Sequence, residues 1–347
     1  MEELADRIYE VVKDYRNHDN IKITPKKILD WAEQFNDDSK LILTELDNFI
    51  SEVYISRQKA KKYVKGHVGR YIKLFGYSNV TQFLMDTEFL DLQQSHKSQP
   101  AILKLLDEVL DENFSVSYKD YLTFPKKHYI YFDDILASGS TIGRHITEFL
   151  AQTDDNDKKF AEKILLNEIT LSISVFCLHQ WGFSFQDFRI IKTFGEKISK
   201  KINWYSNYQI ENHAKFADQK FNVAKPVKGN NIKINSYLES LEATKYEDYA
   251  YRSKTDPAQE TFFINANSRI KFEDVITEKG IDIINKISGK IKPNLRPLGL
   301  INPTYKIFGL GTHFFTWRNI PNNCPLVYWW EVPGHDWIPL FPVTNRG

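Results

Sequence analysis

The sequence predicts an α/β protein in which a mostly parallel sheet is preceded by a helical N-terminal lobe and followed by an irregular C-terminal cover. Three observations predict this fold class. Apolar residues recur at helical spacing through the first third of the 347-residue chain. Near residue 130 a run of β-forming residues leads through a loop of small residues into a helical segment, which is an α/β unit. The segment 310–342 has too many prolines for long helices.

These observations divide the chain into three expected parts. Residues 1–84 form the helical N-terminal lobe and residues 85–200 the α/β core. Residues 201–347 form a C-terminal hood and a cover rich in proline and tryptophan, which we expect to pack on the core.

The lobe begins with an amphipathic helix near Leu4 and Ile8. Thr24 followed by Pro25 is typical of a helix start, because the hydroxyl caps the helix and proline suits its first position. A further helix is predicted through residues 42–53. The next segment, from Arg57 to Lys73, is basic and contains no acidic residue.

The core is predicted from two buried strands and the helices between them. Residues 88–92 are compatible with a short strand, and Pro100 opens an amphipathic helix. Residues 128–132 read as a buried strand, residues 133–140 as a loop and the segment from Thr141 as a helix. Residues 170–176 alternate and form the second strand.

Composition excludes several classes of function. Lys and Arg number 46 against 45 Asp and Glu, so a global electrostatic attraction to nucleic acid is excluded, although a local basic patch is not. The two cysteines are too few for a disulfide framework or a four-thiolate zinc site. No stretch approaches the roughly 18 consecutive apolar residues of a membrane span, and no signal peptide is evident. We expect a soluble, cytoplasmic protein that does not bind membranes.

The most informative segment is Tyr131–Thr141, where two adjacent acids follow a buried strand and precede a small-residue loop and a helix. The carboxyl end of a strand is where open α/β sheets bind ligands. Gly139 allows backbone to approach a ligand closely, and the N–H groups at a helix start suit a phosphate. The pattern therefore indicates a phosphorylated sugar, with its phosphate on the loop and its hydroxyls on Asp133 and Asp134. Mg²⁺ bridging is compatible with this arrangement.

This segment resembles the phosphoribosyl-pyrophosphate loop of type I phosphoribosyltransferases. The resemblance implies that Asp133 and Asp134 bind the ribose 2′- and 3′-hydroxyls, directly or through Mg²⁺. It also implies a phosphoribosyltransferase type of sheet and a loop that holds the 5′-phosphate, formed by Ala137, Ser138, Gly139, Ser140 and Thr141. On this basis we expect Gly139→Val to block entry of the phosphate.

Other parts of the chain resemble a narrower group. Residues 30–35, 321–325, 329–330 and 337–342 are similar to segments of the phosphoribosyltransferase-like proteins of bacterial conflict and antiphage systems, some found beside retron reverse transcriptases. The resemblance implies an antiviral effector that acts on nucleotides or sugar phosphates, or a regulator that binds them, in a defence complex that contains nucleic acid.

A transferase of this family also needs an anion site for pyrophosphate. The best candidate is the loop before Pro100, with Ser95, Lys97 and Ser98 as donors at a helix start. An ordinary exposed polar loop explains the same residues, and the glycines expected of such a loop are missing.

Three functions remain open. The first is a Mg²⁺-dependent glycosyltransferase or nucleosidase-like enzyme that acts at the anomeric carbon of a ribose 5-phosphate, with phosphoribosyl pyrophosphate or a nucleotide as ligand. The second is a catalytically silent nucleotide sensor. The third is an interaction module that docks on nucleic acid or a ribonucleoprotein through Arg57, Lys61, Lys62, Lys65 and Lys73, although a solvated helix face explains these residues too. The sequence does not select the acceptor, and a homo-oligomer is compatible with it.

Overall fold

The structure, a computed structural model, describes residues 1–19, 21–94, 97–212, 221–331 and 335–343. Its helices are α1 Glu2–Val12, α2 Pro25–Glu33, α3 Ser39–Val53, α4 Arg57–Leu74, α5 Val80–Asp86, α6 Ser98–Phe114, α7 Ser140–Ala151, α8 Phe160–Leu165, α9 Gln180–Phe194, α10 Glu196–Ser199, α11 Ile232–Ser240, α12 Ala266–Asn285 and α13 Leu326–Trp329. Its strands are β1 Tyr54–Ile55, β2 Thr87–Phe89, β3 His128–Leu136, β4 Thr170–His179, β5 Ile202–Ile210 and β6 Phe315–Thr316.

The chain separates into two compact units. One unit is continuous and comprises residues 58–209, while the other combines residues 1–57 with residues 210–347. The expected division into residues 1–84, 85–200 and 201–347 is a different partition and stays a prediction.

The continuous unit is built on a four-stranded sheet in the order β2-β3-β4-β5. Strands β2, β3 and β4 run parallel, with Phe89 opposite Ile130 and Asp133 opposite Val175. Apolar side chains of β3, β4, α7 and α8 form one core cluster. On α4, the Tyr71 hydroxyl lies 2.6 Å from the Ser174 hydroxyl of β4, so this helix packs against the sheet. The α/β fold with a mostly parallel sheet is confirmed.

Strand β3 is longer than the sequence predicts. We expected the strand to end at Phe132, but its pairing with β4 continues to Leu136, opposite Leu178. The two acids therefore lie within the strand instead of opening a loop. Pairing with a long, almost completely buried neighbour extends β3, because ladder hydrogen bonds and burial outweigh the low strand propensity of Asp.

The discontinuous unit joins the two ends of the described chain. Trp31 of α2 is buried, and its indole N–H donates to the carbonyl of Val327 at 2.8 Å. The Tyr15 hydroxyl donates to the carbonyl of Pro342 at 3.0 Å. Strands β1 and β6 add a short parallel pair between the same two segments. The segment rich in proline and tryptophan is therefore packed against the N-terminal helices within this unit.

A buried ionic cluster lies in the same unit. Arg269 of α12 is inaccessible to solvent and contacts Glu273 and Glu260, each at 2.9 Å. Arg252 contacts Glu273 at 2.6 Å. Because each charge has an opposite partner, the cluster is compatible with burial. In the described ranges, no helix combines the length and the apolar character that a membrane span needs.

Candidate functional site

Asp133 lies on β3 beyond the end of its neighbour β2. The last residue of β2, Phe89, pairs with Ile130, so β3 extends further than β2 toward its carboxyl end. There Gln93 and Ser98, which follow β2 in the chain, lie against Asp133. The arrangement lies at the carboxyl end of a parallel sheet, which is the usual ligand-binding position of this fold class.

The carboxylate of Asp133 is buried and fully hydrogen-bonded. It is 3% exposed. One oxygen, Oδ1, accepts from the Ser98 hydroxyl at 2.6 Å and from the backbone N–H of Asp134 at 2.9 Å. The other, Oδ2, accepts from the Gln93 amide at 2.6 Å and from the Tyr131 hydroxyl at 3.3 Å. Burial, followed by the nearby charge of Asp134, raises the pKa of Asp133 to about 7, although its donors oppose this shift.

Tyr131 connects Asp133 to a histidine of α7. Its hydroxyl lies 3.0 Å from Nδ1 of His145 and accepts from the Gln93 amide at 2.8 Å. Burial lowers the pKa of His145 and raises that of Tyr131. The result is a buried polar network of Gln93, Ser98, Tyr131, Asp133 and His145.

This network was not identified from the sequence. Two signals were present. Residues two apart on a strand point to the same face, which places Tyr131 beside Asp133. On α7, His145 is buried among the apolar residues Ile142 and Ile146, where a polar ring needs a partner.

Asp134 differs from Asp133 in environment. Consecutive strand residues point to opposite faces, so the two carboxylates do not lie side by side. The side chain of Asp134 is half-buried, and its Oδ1 accepts from the backbone N–H of Ile135 at 2.7 Å. Asp134 is therefore the more accessible member of the pair.

The predicted phosphate loop forms the turn between β3 and α7. Gly139 is the N-cap of α7 and has φ 75°, a left-handed conformation that favours glycine. No side chain caps this helix, and the first N–H groups of a helix have no partner within it. Ser140 and Thr141 are exposed, and the Ser138 hydroxyl lies 3.4 Å from that of Ser140. Backbone N–H groups, exposed hydroxyls and the positive end of the helix dipole thus occur together at the start of α7, a combination that suits an anion.

Helix α9 packs against this turn through Gln186 and Gly182. Gln186 is 1% exposed, and its amide donates to the carbonyl of Ser138 at 3.4 Å. A Cβ at Gly139 would lie 2.5 Å from Cγ of Gln186, and one at Gly143 would collide with the same side chain. A Cβ at Gly182 would meet the carbonyl oxygen of Ala137. The sequence shows these three glycines, but only the fold shows why side chains are absent there. Gly139 and Gly143 leave space for Gln186, and Gly182 lets α9 approach the backbone of Ala137 closely.

The predicted pyrophosphate loop is only partly described. Ser95 lies outside the described residues. Lys97 is exposed and is the N-cap of α6. Ser98 donates to Asp133, and the next residue, Gln99, is buried with its Oε1 accepting from the N–H of Leu92 at 2.7 Å. The structure thus brings Ser98 to the acid pair, and the assignment of pyrophosphate to this loop stays a prediction.

A groove elsewhere in the same unit has the wrong charge for a phosphate. It measures about 710 Å³ and lies along α6. Its charged lining residues are Asp91, Lys104, Asp107, Glu108, Asp111, Lys119 and Asp120. Neither the acid pair nor the β3–α7 turn lines it. Acids outnumber lysines there, so the turn is the better anion site of the two.

Of the two adjacent acids, Asp134 fits a Mg²⁺ ion better than Asp133 does. Among the described residues, no group of three His, Cys, Asp or Glu side chains is arranged to hold a metal. Both oxygens of Asp133 already accept hydrogen bonds from the protein. Mg²⁺ in phosphate-binding proteins often uses one or two carboxylates, with water and phosphate as its other ligands. A half-buried Asp134 meets that requirement.

Comparison with known proteins gives one match. The model of the family described as PRTase-CE matches residues 28–343, which is most of the chain. No curated protein and no solved structure matches.

Proposed function

Because the chain belongs to the PRTase-CE family, a phosphoribosyltransferase-like family, we propose that its β3–α7 turn binds the 5′-phosphate of a phosphoribosyl group. The observation that carries this proposal is the uncapped start of α7, preceded by Gly139 in a left-handed conformation. The loop from Ala137 to Thr141 supplies backbone N–H groups and hydroxyls. Exposed Ser140 and Thr141 are the side chains best placed to reach the phosphate.

We assign different roles to the two acids. Asp134 is the accessible carboxylate, and it would accept hydrogen bonds from the ribose hydroxyls. Asp133 accepts from the backbone N–H of Asp134 and from Ser98. It therefore acts as a positioning residue that joins the carboxyl-terminal part of β3 to the first residue of α6. Direct binding of ribose by Asp133 stays a prediction.

Mg²⁺ belongs to the proposal as the counter-ion of the pyrophosphate. When bound, it would neutralise charge on the departing pyrophosphate, which is the main electrostatic demand of transfer at the anomeric carbon. Asp134, the more accessible acid of the pair, is the carboxylate that we assign to it. Lys97, exposed at the start of α6, is the candidate cation for the same anion.

The same site is compatible with two functions, which are catalysis of phosphoribosyl transfer and binding of the ligand without turnover. A transferase would join C1′ of the ribose to an acceptor as pyrophosphate departs. A nucleotide sensor would bind the same ligand without turnover, and the complete engagement of Asp133 by protein donors favours this second candidate. Release of pyrophosphate in the presence of candidate bases separates them.

Isothermal titration tests the binding site. Wild-type protein is titrated with phosphoribosyl pyrophosphate plus Mg²⁺, with ribose 5-phosphate and with AMP. We expect binding of phosphoribosyl pyrophosphate to need Mg²⁺ and to weaken at least roughly tenfold in Asp134→Asn, because a charge-assisted hydrogen bond is worth about 1.5–3 kcal/mol. Glu239→Gln, which removes a negative charge from an exposed position of α11, is the matched control. Undiminished binding by Asp134→Asn would remove the role of this acid.

We further propose that the protein acts in antiphage defence within a complex that contains nucleic acid. This proposal rests on the resemblance of residues 30–35 and of the C-terminal segments described above. Bacteria that express the wild type should resist a phage panel better than bacteria that express Asp134→Asn at the same level. Equal plaque counts for both strains and for the empty vector would refute it.

A further inference from the structure

One face of α4 carries four exposed cations and two glycines. They are Lys62, Lys65, Gly66, Gly69, Arg70 and Lys73. Their spacing of three and four residues places them along one side of a helix, over about 16 Å at 1.5 Å per residue. We call these six residues the α4 basic face. The opposite side of α4 is buried through Ala60, Val64, His67, Val68 and Tyr71.

The four cations have no acidic partner among the described residues. Elsewhere on α4 the structure does pair charge, since Lys61 contacts Glu108 and Glu112 of α6. On the α4 basic face, Lys65 contacts only an amide, that of Asn113, and the Arg70 guanidinium lies 5.5 Å above the ring of Tyr205. Lys61 lies one turn before Lys65 on the same side of α4, but its charge is paired with Glu108 and Glu112, so we leave it out of the α4 basic face.

The glycines of this face have no packing role. A Cβ at Gly66 or at Gly69 would meet nothing within 4 Å, and both lie inside an 18-residue helix. Glycine in a helix interior costs roughly 1 kcal/mol relative to alanine. Between four cations, the missing side chains leave helix backbone that a partner can approach closely.

We propose that the α4 basic face binds duplex DNA through its phosphates. The face presents positive charge and no apolar side chain, which disfavours a hydrophobic partner or a membrane. None of its six residues is aromatic, and the Tyr205 ring beside it is occupied by the Arg70 guanidinium, which disfavours stacking of unpaired bases and therefore a single strand. An α-helix fits the major groove of B-DNA, whereas the major groove of duplex RNA is deep and narrow. The surface is separate from the β3–α7 turn, so this inference goes beyond the proposed function.

The first experiment measures binding of a labelled mixed-sequence DNA duplex by fluorescence anisotropy as salt is raised. In the variant Lys62→Gln/Lys65→Gln/Arg70→Gln/Lys73→Gln we expect affinity to fall roughly tenfold or more at low salt. The slope of log K against log salt should fall by up to about 4, because each lost phosphate contact removes close to one unit. The matched control, Lys40→Gln/Lys228→Gln/Lys290→Gln/Lys292→Gln, removes the same charge from exposed positions elsewhere and should retain affinity and slope.

The second experiment uses Gly66→Ala/Gly69→Ala. Added methyl groups meet no protein atom, so helix propensity should raise the thermal unfolding midpoint. The same methyl groups should weaken duplex binding severalfold by preventing close approach. Loss of affinity in a variant that is more stable cannot be attributed to misfolding.

Several results would overturn the proposal. They are an unchanged affinity and salt slope in the α4 variant, an equal loss in the control variant, tighter binding of duplex RNA or single-stranded DNA than of duplex DNA, and displacement of the duplex by polyglutamate at equal charge. The α4 variant should still bind phosphoribosyl pyrophosphate as the wild type does, so failure of this proposal is distinguishable from failure of the proposed function.

Discussion

Burial of Asp133 makes the stability of the protein depend on pH. Its carboxyl has a pKa of about 7 in the folded chain, against 3.8 for the unperturbed group. A raised pKa means that the folded state holds a proton that the unfolded state has released. Stability from this group is therefore present below about pH 4 and is lost as pH rises through about 7.

Asp133→Asn should remove that dependence. The free energy of unfolding of the wild type should fall by on the order of 2–4 kcal/mol between about pH 4 and pH 7 from this group. In Asp133→Asn the fall over the same window should be clearly smaller, because the amide does not titrate. Urea unfolding at several pH values measures both. Parallel curves for the two proteins would show that Asp133 is not the titrating group.

A side chain introduced at residue 139 would collide with Gln186, so it would affect the stability of the fold and not only the binding of a ligand. From the sequence we expected Gly139→Val to block the phosphate, but the structure directs the added Cβ toward Gln186. The variant would disturb the support of the loop, so it is a poor test of binding. We expect Gly139→Ala to destabilise the fold by about 1–3 kcal/mol, from the left-handed conformation and the collision.

A double-mutant cycle checks this contact. Gln186→Ala opens space beside Gly139, so Gly139→Ala should cost less in that background than in the wild type. The expected coupling is on the order of 1 kcal/mol in urea unfolding. Additive effects would mean that Gln186 does not fill the space beside the turn.

At the scale of elements, the first turn of α7 affects both the stability of the protein and the proposed binding of the phosphate. Ser140→Asp places a carboxylate in the first turn, where the helix dipole should stabilise the protein by about 0.3–1 kcal/mol. The same charge should repel a phosphate and abolish binding of phosphoribosyl pyrophosphate. Ser140→Asn is the neutral control and should bind. Calorimetry and thermal unfolding give the two readouts, and an acidic variant that binds normally would place the phosphate elsewhere.

Local sequence signals predicted most elements near their observed positions. Helix α2 begins at Pro25, and Thr24 caps it by accepting from the N–H of Lys27 at 3.2 Å. Strand β4 begins at Thr170, as the alternating pattern indicates. The errors occur where a partner extends an element, as β4 does for β3. Helix caps are local, whereas the length of a strand depends on its neighbours.

At the scale of the whole molecule, stability of the discontinuous unit depends on a buried charge cluster. Glu273 accepts from Arg252, from Arg269 and, at 3.1 Å, from the backbone N–H of Lys225. Glu273→Gln would leave two buried guanidinium groups with reduced compensation and should cost about 3–5 kcal/mol. Urea unfolding measures the loss. Glu242→Gln removes one negative charge from an exposed position of the same unit and is the control, which should have little effect.

The sequence by itself determined the class of fold, the order of strand, acid pair, glycine turn and helix, and the resemblance that the family match supports. These features are local, because periodicity, capping and turn chemistry act within a few residues. Only the tertiary structure decided that Asp133 is buried beneath Gln93 and Ser98, that Gln186 fills the space beside Gly139, and that Lys61 pairs with acids of α6. Each of those facts depends on contacts between segments far apart in sequence, and such contacts follow from packing rather than from local propensity.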